Sequence, residues 1–255
     1  MPESPVLLDV HDRIATITLH RPEARNALSR ELLALLPQVL QAADNDPEVD
    51  VLVLTGTDPA FTAGLDLKEV GEGKLIESNI GIEIRKPWPD LTKPLIGAVN
   101  GVAVTGGFEL ALNCDLLIAS ENARFADTHA RVGVQPGWGL TVLLPQAIGV
   151  RRARELSMTG RFLDAQTAYD WGLVNRVVAH QDLLPTTYAL AASIVDNDQA
   201  GVRRILKTYA ENTAETEQWQ NEAIAGSAWK AEQFSPEKVA ERRAGIQERG
   251  RAQTR

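Results

Sequence analysis

The sequence predicts an α/β protein: strands and helices alternate in its first three quarters, and a helical tail follows. Two observations carry this prediction. Short apolar, β-branched runs alternate with helical periodicity up to about residue 178, a pattern that yields parallel strands joined by crossover helices. From Gln181 onward strand signals vanish, and Ala-, Leu-, Arg- and Glu-rich helical segments run to the end. A chain of 255 residues with 44% hydrophobic and 24% charged residues can bury a full core without disulfides or metals as staples.

Taken in order, Val6 to Val10 and Ile14 to Leu19 are β-branched runs split by His11-Asp12-Arg13, a hairpin signature. His20 to Ser29 is a polar loop ending on a good N-cap. Leu32, Leu35, Leu36, Val39 and Leu40 then recur at helical spacing from Arg30 to Ala43, with Pro37 expected to kink or shorten that helix. Val51 to Leu54 reads as a buried strand, and Gly56 to Gly71 as a loop that starts a helix near Leu65. Gly71 to Lys86 has no clean period and reads as mobile and partly helical; Pro87, Pro89 and Pro94 prevent one long helix after it.

Leu95 to Val99 and Leu116 to Ala119 are buried strands around a helix from Gly106 to Asn113. Ala123 to Val134 reads as short and irregular. Pro136 to Gly139 is a turn opening a helix through Ile148, with further helices at Val150 to Thr159 and Asp164 to Trp171 and a strand at Leu173 to Val178. Breaks in the tail are expected near Asn197-Asp198, Ala214-Glu215 and Ser235-Pro236.

Composition and missing motifs exclude several functions. A net charge of -8 argues against general nucleic-acid binding. No apolar run approaches the length of a membrane span. The N-terminus has acidic residues and no basic flank, unlike a signal or transit peptide, and the one cysteine, Cys114, fits a reducing compartment; a cytoplasmic protein is expected. His11, His20, His129 and His180 lack metal-ligand spacing, so no metal is expected. There is no GxSxG elbow, and Gly107-Phe108 stand where a phosphate loop requires Lys and Ser or Thr.

Two small-residue turns remain, each following a buried strand: Phe61 to Leu67 (FTAGLDL) and Val104 to Ala111 (VTGGFELA). In a parallel sheet both turns lie at the strands' C-terminal edge, where ligands bind. One N–H from each could converge on a carbonyl oxygen as an oxyanion hole. The same glycines also suit tight turns and close packing alone. Glu109, in the first turn of the second helix, suits catalysis or simple complementation of the helix dipole.

Five motifs stand in the order of one family: RPEARNAL (Arg21 to Leu28), AFTAGLDLKE (Ala60 to Glu69), GGFELALNCD (Gly106 to Asp115), RFAD…VGVQPGWG (Arg124 to Gly139) and SMTGRFLDAQTAYDWGLVNRVV (Ser157 to Val178). Through them the chain resembles the enoyl-CoA hydratase/isomerase (crotonase) family over nearly its whole length. The resemblance implies a crotonase-like spiral of repeated β-β-α units over residues 1–195. It also implies a helical region over 196–255 that builds a homotrimer or dimer of trimers. The implied substrate is an acyl-CoA thioester, with no cofactor beyond it. Carried over, the oxyanion donors are the N–H groups of Ala63 and Gly106. Gly64, Leu65, Asp66 and Leu67 form the turn that receives CoA, with Arg25 on the other side of the nucleotide. Glu109 matches the first of two catalytic glutamates, and the implied reaction is addition of water to a 2-enoyl-CoA.

The departure is at the second glutamate. Where hydratases of the family carry Gln-Pro-Glu, this chain has Asp127-Thr128-His129. Either His129 takes over proton transfer, or the chain runs another crotonase-type reaction such as double-bond isomerisation, or it binds acyl-CoA without catalysis. Asp127 is a further candidate, and Thr128 could orient a water. Trp138 stands where hydratases have a small residue, so it either narrows the acyl pocket or fills the core. Ser235 to Arg255 carries a net charge of +3, suiting a solvated helix face or contacts to CoA phosphates.

Overall fold

The computed structural model describes residues 4–73, 86–213 and 216–253. An antiparallel hairpin, β1 (Val6–His11) and β2 (Ile14–Leu19), opens the chain. Helix α1 (Arg30–Asn45) follows, its first turn capped by Ser29 Oγ, which accepts the Leu32 N–H at 3.2 Å. Pro37 does not end this helix. The backbone bond it forfeits is offset by the apolar stripe of Leu32, Leu36, Leu40 and Ala43, all buried against the sheet.

Three turns of one motif come next. The first is β3 (Val51–Gly56), β4 (Ala60–Thr62) and α2 (Leu67–Gly71). The second is β5 (Leu95–Val99), β6 (Val102–Val104) and α3 (Gly106–Leu112). The third is β7 (Leu116–Ser120), β8 (Arg124–Ala126) and α4 (His129–Val132). In each, a sharp corner passes the chain from one sheet to a second. The chain then runs through α5 (Leu140–Ile148), α6 (Val150–Thr159), β9 (Leu163–Asp164), α7 (Ala165–Asp170) and β10 (Arg176–Val178). Four helices end it: α8 (Leu183–Val195), α9 (Gln199–Asn212), α10 (Thr216–Glu232) and α11 (Pro236–Gln253).

The first sheet has the order β1-β2-β3-β5-β7-β10, parallel except for the opening hairpin. The second has the order β4-β6-β8-β9, with only β9 antiparallel. The first sheet is covered on both faces, which explains why its strands read as unbroken apolar runs. In β3, Leu52 and Leu54 join the large core with α1, while Val51 and Val53 face Leu183 and Ala191 of α8. A third cluster joins Val70 of α2, Val132 of α4, and Val239 and Ile246 of α11, so the tail folds back over the ends of the β-β-α turns.

The crotonase-type spiral and its helical C-terminal region agree with the sequence expectation. The second sheet is the main addition. Its strands are only two or three residues long, too short to show a period, and none lies in a stretch read as a strand. The strand expected over Leu173 to Val178 is confined to Arg176–Val178. The segment expected to be mobile lies, beyond Gly73, mostly outside the described residues, as does the break at Ala214-Glu215. Among the described residues no helix is long and apolar enough to cross a membrane.

Helix α3 packs closely on β4 of the second sheet. A Cβ on Gly107 would stand 2.5 Å from Thr62 Cγ2 and 2.8 Å from the Thr62 carbonyl oxygen. Gly107→Ala is therefore expected to lower the unfolding free energy by about 1–3 kcal/mol through overpacking, measured by urea denaturation. An alanine variant as stable as the parent contradicts this packing.

Candidate active site

The site forms at the corners of the second and third turns. Thr105, the residue before α3, has φ 55° and ψ -117°, a conformation rare for a β-branched residue. Two bonds hold it there: its N–H donates to the Ala126 carbonyl at 2.9 Å, and its hydroxyl meets that of Thr128 at 2.5 Å. The β6–β8 ladder thus ties the start of α3 to the start of α4. Beyond this corner the Gly106 N–H has no intramolecular partner among the described residues.

The neighbouring turn supplies a second free donor, but not the expected one. The Ala63 N–H donates to the Arg25 carbonyl at 3.0 Å, so it does not face a ligand. Residues 64–66 run parallel to Leu28: the Leu28 N–H donates to Gly64 O at 2.8 Å and the Asp66 N–H to Leu28 O at 3.1 Å. This one-sided pairing turns the Leu65 N–H away from Leu28, and it too has no partner among the described residues. Gly64 permits the turn with φ 83°, where a Cβ would lie 2.4 Å from Val104 O. The Leu65 side chain and the Trp138 ring both border Gly106, at 3.8 and 3.1 Å from its Cβ position. Trp138 is 7% exposed and belongs to the main core while flanking the free Gly106 amide.

Of the other residues expected to receive CoA, Asp66 and Leu67 also hold the fold together, while Arg25 is exposed. Asp66 caps α2, accepting the Lys68 N–H at 3.1 Å, and pairs with Arg21 at 3.2 Å. Leu67 opens α2 and packs on the third cluster. Arg25 adopts φ 51° at the end of a short 3-10 turn, with its side chain exposed.

Glu109 and His129 meet between α3 and α4. Glu109 Oε1 accepts the N–H groups of Gly137 (3.1 Å) and Trp138 (2.8 Å). Its Oε2 lies 3.3 Å from His129 Nε2, and His129 Nδ1 lies 2.6 Å from Asp127 Oδ1. Asp127 also accepts the His129 backbone N–H at 3.1 Å. All three side chains are at most 5% exposed. Each ring nitrogen faces a carboxylate oxygen, an arrangement that an imidazolium satisfies by donating to both. Burial alone would lower the imidazole's pKa. Attraction by Glu109 and the hydrogen bond to Asp127 outweigh it and push the value up to about 10. Burial pulls the Asp127 carboxyl upward, but its bonds to His129 and Ser157 hold it below the usual range. The charged imidazolium is therefore the favoured form of His129 near neutral pH.

This arrangement ties stability to pH. The folded His129 value of about 10 lies above the unfolded value of roughly 6.5. The stabilisation is therefore complete below roughly pH 6.5 and is lost as pH rises through about 10. Melting temperatures between pH 6 and pH 10.5 are expected to fall more steeply for the parent than for His129→Gln. Equal slopes contradict the assignment.

Known proteins share this architecture and sequence. A family model described as "Enoyl-CoA hydratase/isomerase" matches residues 9–252. The chain is 41% identical over 197 residues to "Probable enoyl-CoA hydratase 1, peroxisomal" of Arabidopsis thaliana, covering 75% of this chain and 73% of that one. It is 37% identical over 203 residues to the "Short-chain-enoyl-CoA hydratase" of Clostridium acetobutylicum, covering 78% of each. Among solved structures, an enoyl-CoA hydratase from Mycobacterium smegmatis superposes with a TM-score of 0.83 at 51% identity, over 90% of this chain and 99% of that one. The β-β-α spiral, the motif order and these similarities agree: the chain belongs to the enoyl-CoA hydratase/isomerase family.

Proposed function

We propose that this protein is an enoyl-CoA hydratase, a hydro-lyase that adds water to a 2-enoyl-CoA, and that His129 replaces the second catalytic glutamate. The supporting observation is the buried Glu109–His129 pair at 3.3 Å, close to two backbone N–H groups that have no partner among the described residues. The pair comprises one proton acceptor and one proton donor. In this reading the thioester oxygen sits on the N–H groups of Leu65 and Gly106, Leu65 taking the role expected of Ala63. Each such donor is worth about 2.7–4 kcal/mol of barrier when charge develops on the oxygen.

The steps balance. Glu109 takes a proton from water as the water oxygen bonds to C3 and the C2=C3 π electrons move onto the thioester as an enolate. The His129 imidazolium then protonates C2, and the carbonyl re-forms. Proton transfer from Glu109 to His129 restores the starting pair. Asp127 holds the ring through Nδ1 and keeps Nε2 directed at the reacting side. Trp138, beside Gly106, bounds the acyl group and favours short chains.

In this reading Arg25 and the 64–67 turn form the CoA-binding side of the site, and no cofactor beyond the CoA substrate is needed. We also propose that residues 196–255 assemble the chain as a homotrimer or dimer of trimers, and that it works in the cytoplasm.

The test is hydration of short and long trans-2-enoyl-CoA, followed by loss of the conjugated thioester absorbance. The parent should hydrate the short substrate faster. Glu109→Gln and His129→Ala should each lose about 10²–10⁴-fold in kcat. Binding of acyl-CoA without hydration at any chain length contradicts the hydratase reading. A fully active His129→Ala contradicts the role of the imidazole.

A further inference from the structure

The segment that holds Glu109 is itself held by a carboxylate from the tail. Within residues 137–141, the N–H groups of Gly137 and Trp138 donate to Glu109. Immediately after them, the Gly139 N–H donates to Glu222 Oε1 at 2.6 Å and the Thr141 N–H to Glu222 Oε2 at 2.7 Å. The Thr141 hydroxyl also bonds Glu222 Oε2. Four amides of one short segment are thus divided between two buried carboxylates, one at the site and one on α10.

The rest of α10 follows the same track. The Trp219 ring covers Gly139, where a Cβ would lie 2.1 Å from Trp219 Cη2. Gly226 passes Pro136, whose carbonyl lies 3.4 Å from the Gly226 Cβ position, and Trp229 Nε1 donates to Gly133 O at 2.9 Å. Residues 219, 222, 226 and 229 fall on one helix face, and they meet residues 139, 136 and 133 in reverse order. Glu222 is the one buried residue of α10. The helix is therefore docked by polar bonds and ring contacts along this line, not by an apolar stripe.

From this geometry we propose that α10 is a splint for the active-site segment 133–141, and that Glu222 is a positioning residue keeping the Gly137 and Trp138 N–H groups on Glu109. The proposal rests on the reading of Glu109 and His129 as the reacting pair. Burial raises the Glu222 carboxyl above its ordinary range, and the Glu109 charge adds to that against the bonds from Thr141 and Gly139. The two carboxylates thus sense each other across the segment they share. With Glu222 weakened, Gly137 and Trp138 no longer fix Glu109 Oε1, and Oε2 drifts from His129.

The imidazole of His129 reports this directly and without any turnover. The titration of His129 is followed by NMR of histidine-labelled protein, its signal assigned by its loss in His129→Gln. In Glu222→Gln the midpoint is expected to fall by about one pH unit or more. Thr141→Val keeps both carboxylates and removes one hydroxyl, so it should shift the midpoint the same way by less. Unfolding should stay cooperative, and for hydration kcat should fall by about 10–100-fold with a smaller change in KM. An unchanged midpoint in a folded Glu222→Gln protein, with only a lowered melting temperature, overturns the proposal and leaves Glu222 a structural brace. If Glu222→Gln does not fold, an unchanged midpoint in Thr141→Val overturns it instead. A shifted midpoint in a protein whose parent hydrates no enoyl-CoA upholds the splint and rejects the hydratase reading.

Discussion

The contact between Glu109 and His129 is the constraint on which the site depends. Two carboxylates and an imidazole are buried together, and burial of any one of them alone would be costly. Their positions satisfy one another: Asp127 takes Nδ1, Glu109 faces Nε2, and backbone amides of residues 137 and 138 take the remaining Glu109 oxygen. The cluster carries two negative charges and one positive charge. It holds a proton on the imidazole where an isolated buried histidine would release it.

The fold brings these groups to one place by repetition. Each β-β-α turn ends in a helix start at the same edge of the small sheet, so consecutive turns deliver Glu109 on α3 and His129 on α4. The β6–β8 ladder sets their spacing, and the Thr105–Thr128 hydroxyl pair fastens the two corners. The strained backbone of Thr105 belongs to this arrangement, because it directs the following amide outward. Strain of this kind costs about 1–3 kcal/mol and persists only where neighbours over-determine it. Here the Ala126 carbonyl and the Thr128 hydroxyl do so.

Much of this was legible in the chain itself. The long strands and the helices from α5 onward follow from apolar runs and helical spacing, and the glycine turns identified both edges of the hole. Glu109 was visible as a carboxylate in a helix's first turn, and His129 as the group at the second glutamate's position. Two things were not legible. The first free donor depends on which amide of FTAGLDL escapes pairing with residues 25–28, a register that sequence spacing leaves ambiguous by two residues. Glu222 lies 83 residues from its partner Gly139. Its helix has no apolar face to announce a docking site, so nothing local marked it. A carboxylate at 222 in a helix of mixed polarity looks like any solvated glutamate until the fold folds it inward.

The chemistry of the site depends on the charge of His129 in the resting protein. The most direct measurement is the ¹⁵N chemical shift of both ring nitrogens at pH 8, where an ordinary histidine is largely neutral. An imidazolium pattern, with both nitrogens protonated and bonded to carboxylates, is the predicted result. A neutral tautomer at pH 8 contradicts it and removes the proton that the proposed reaction delivers to the substrate.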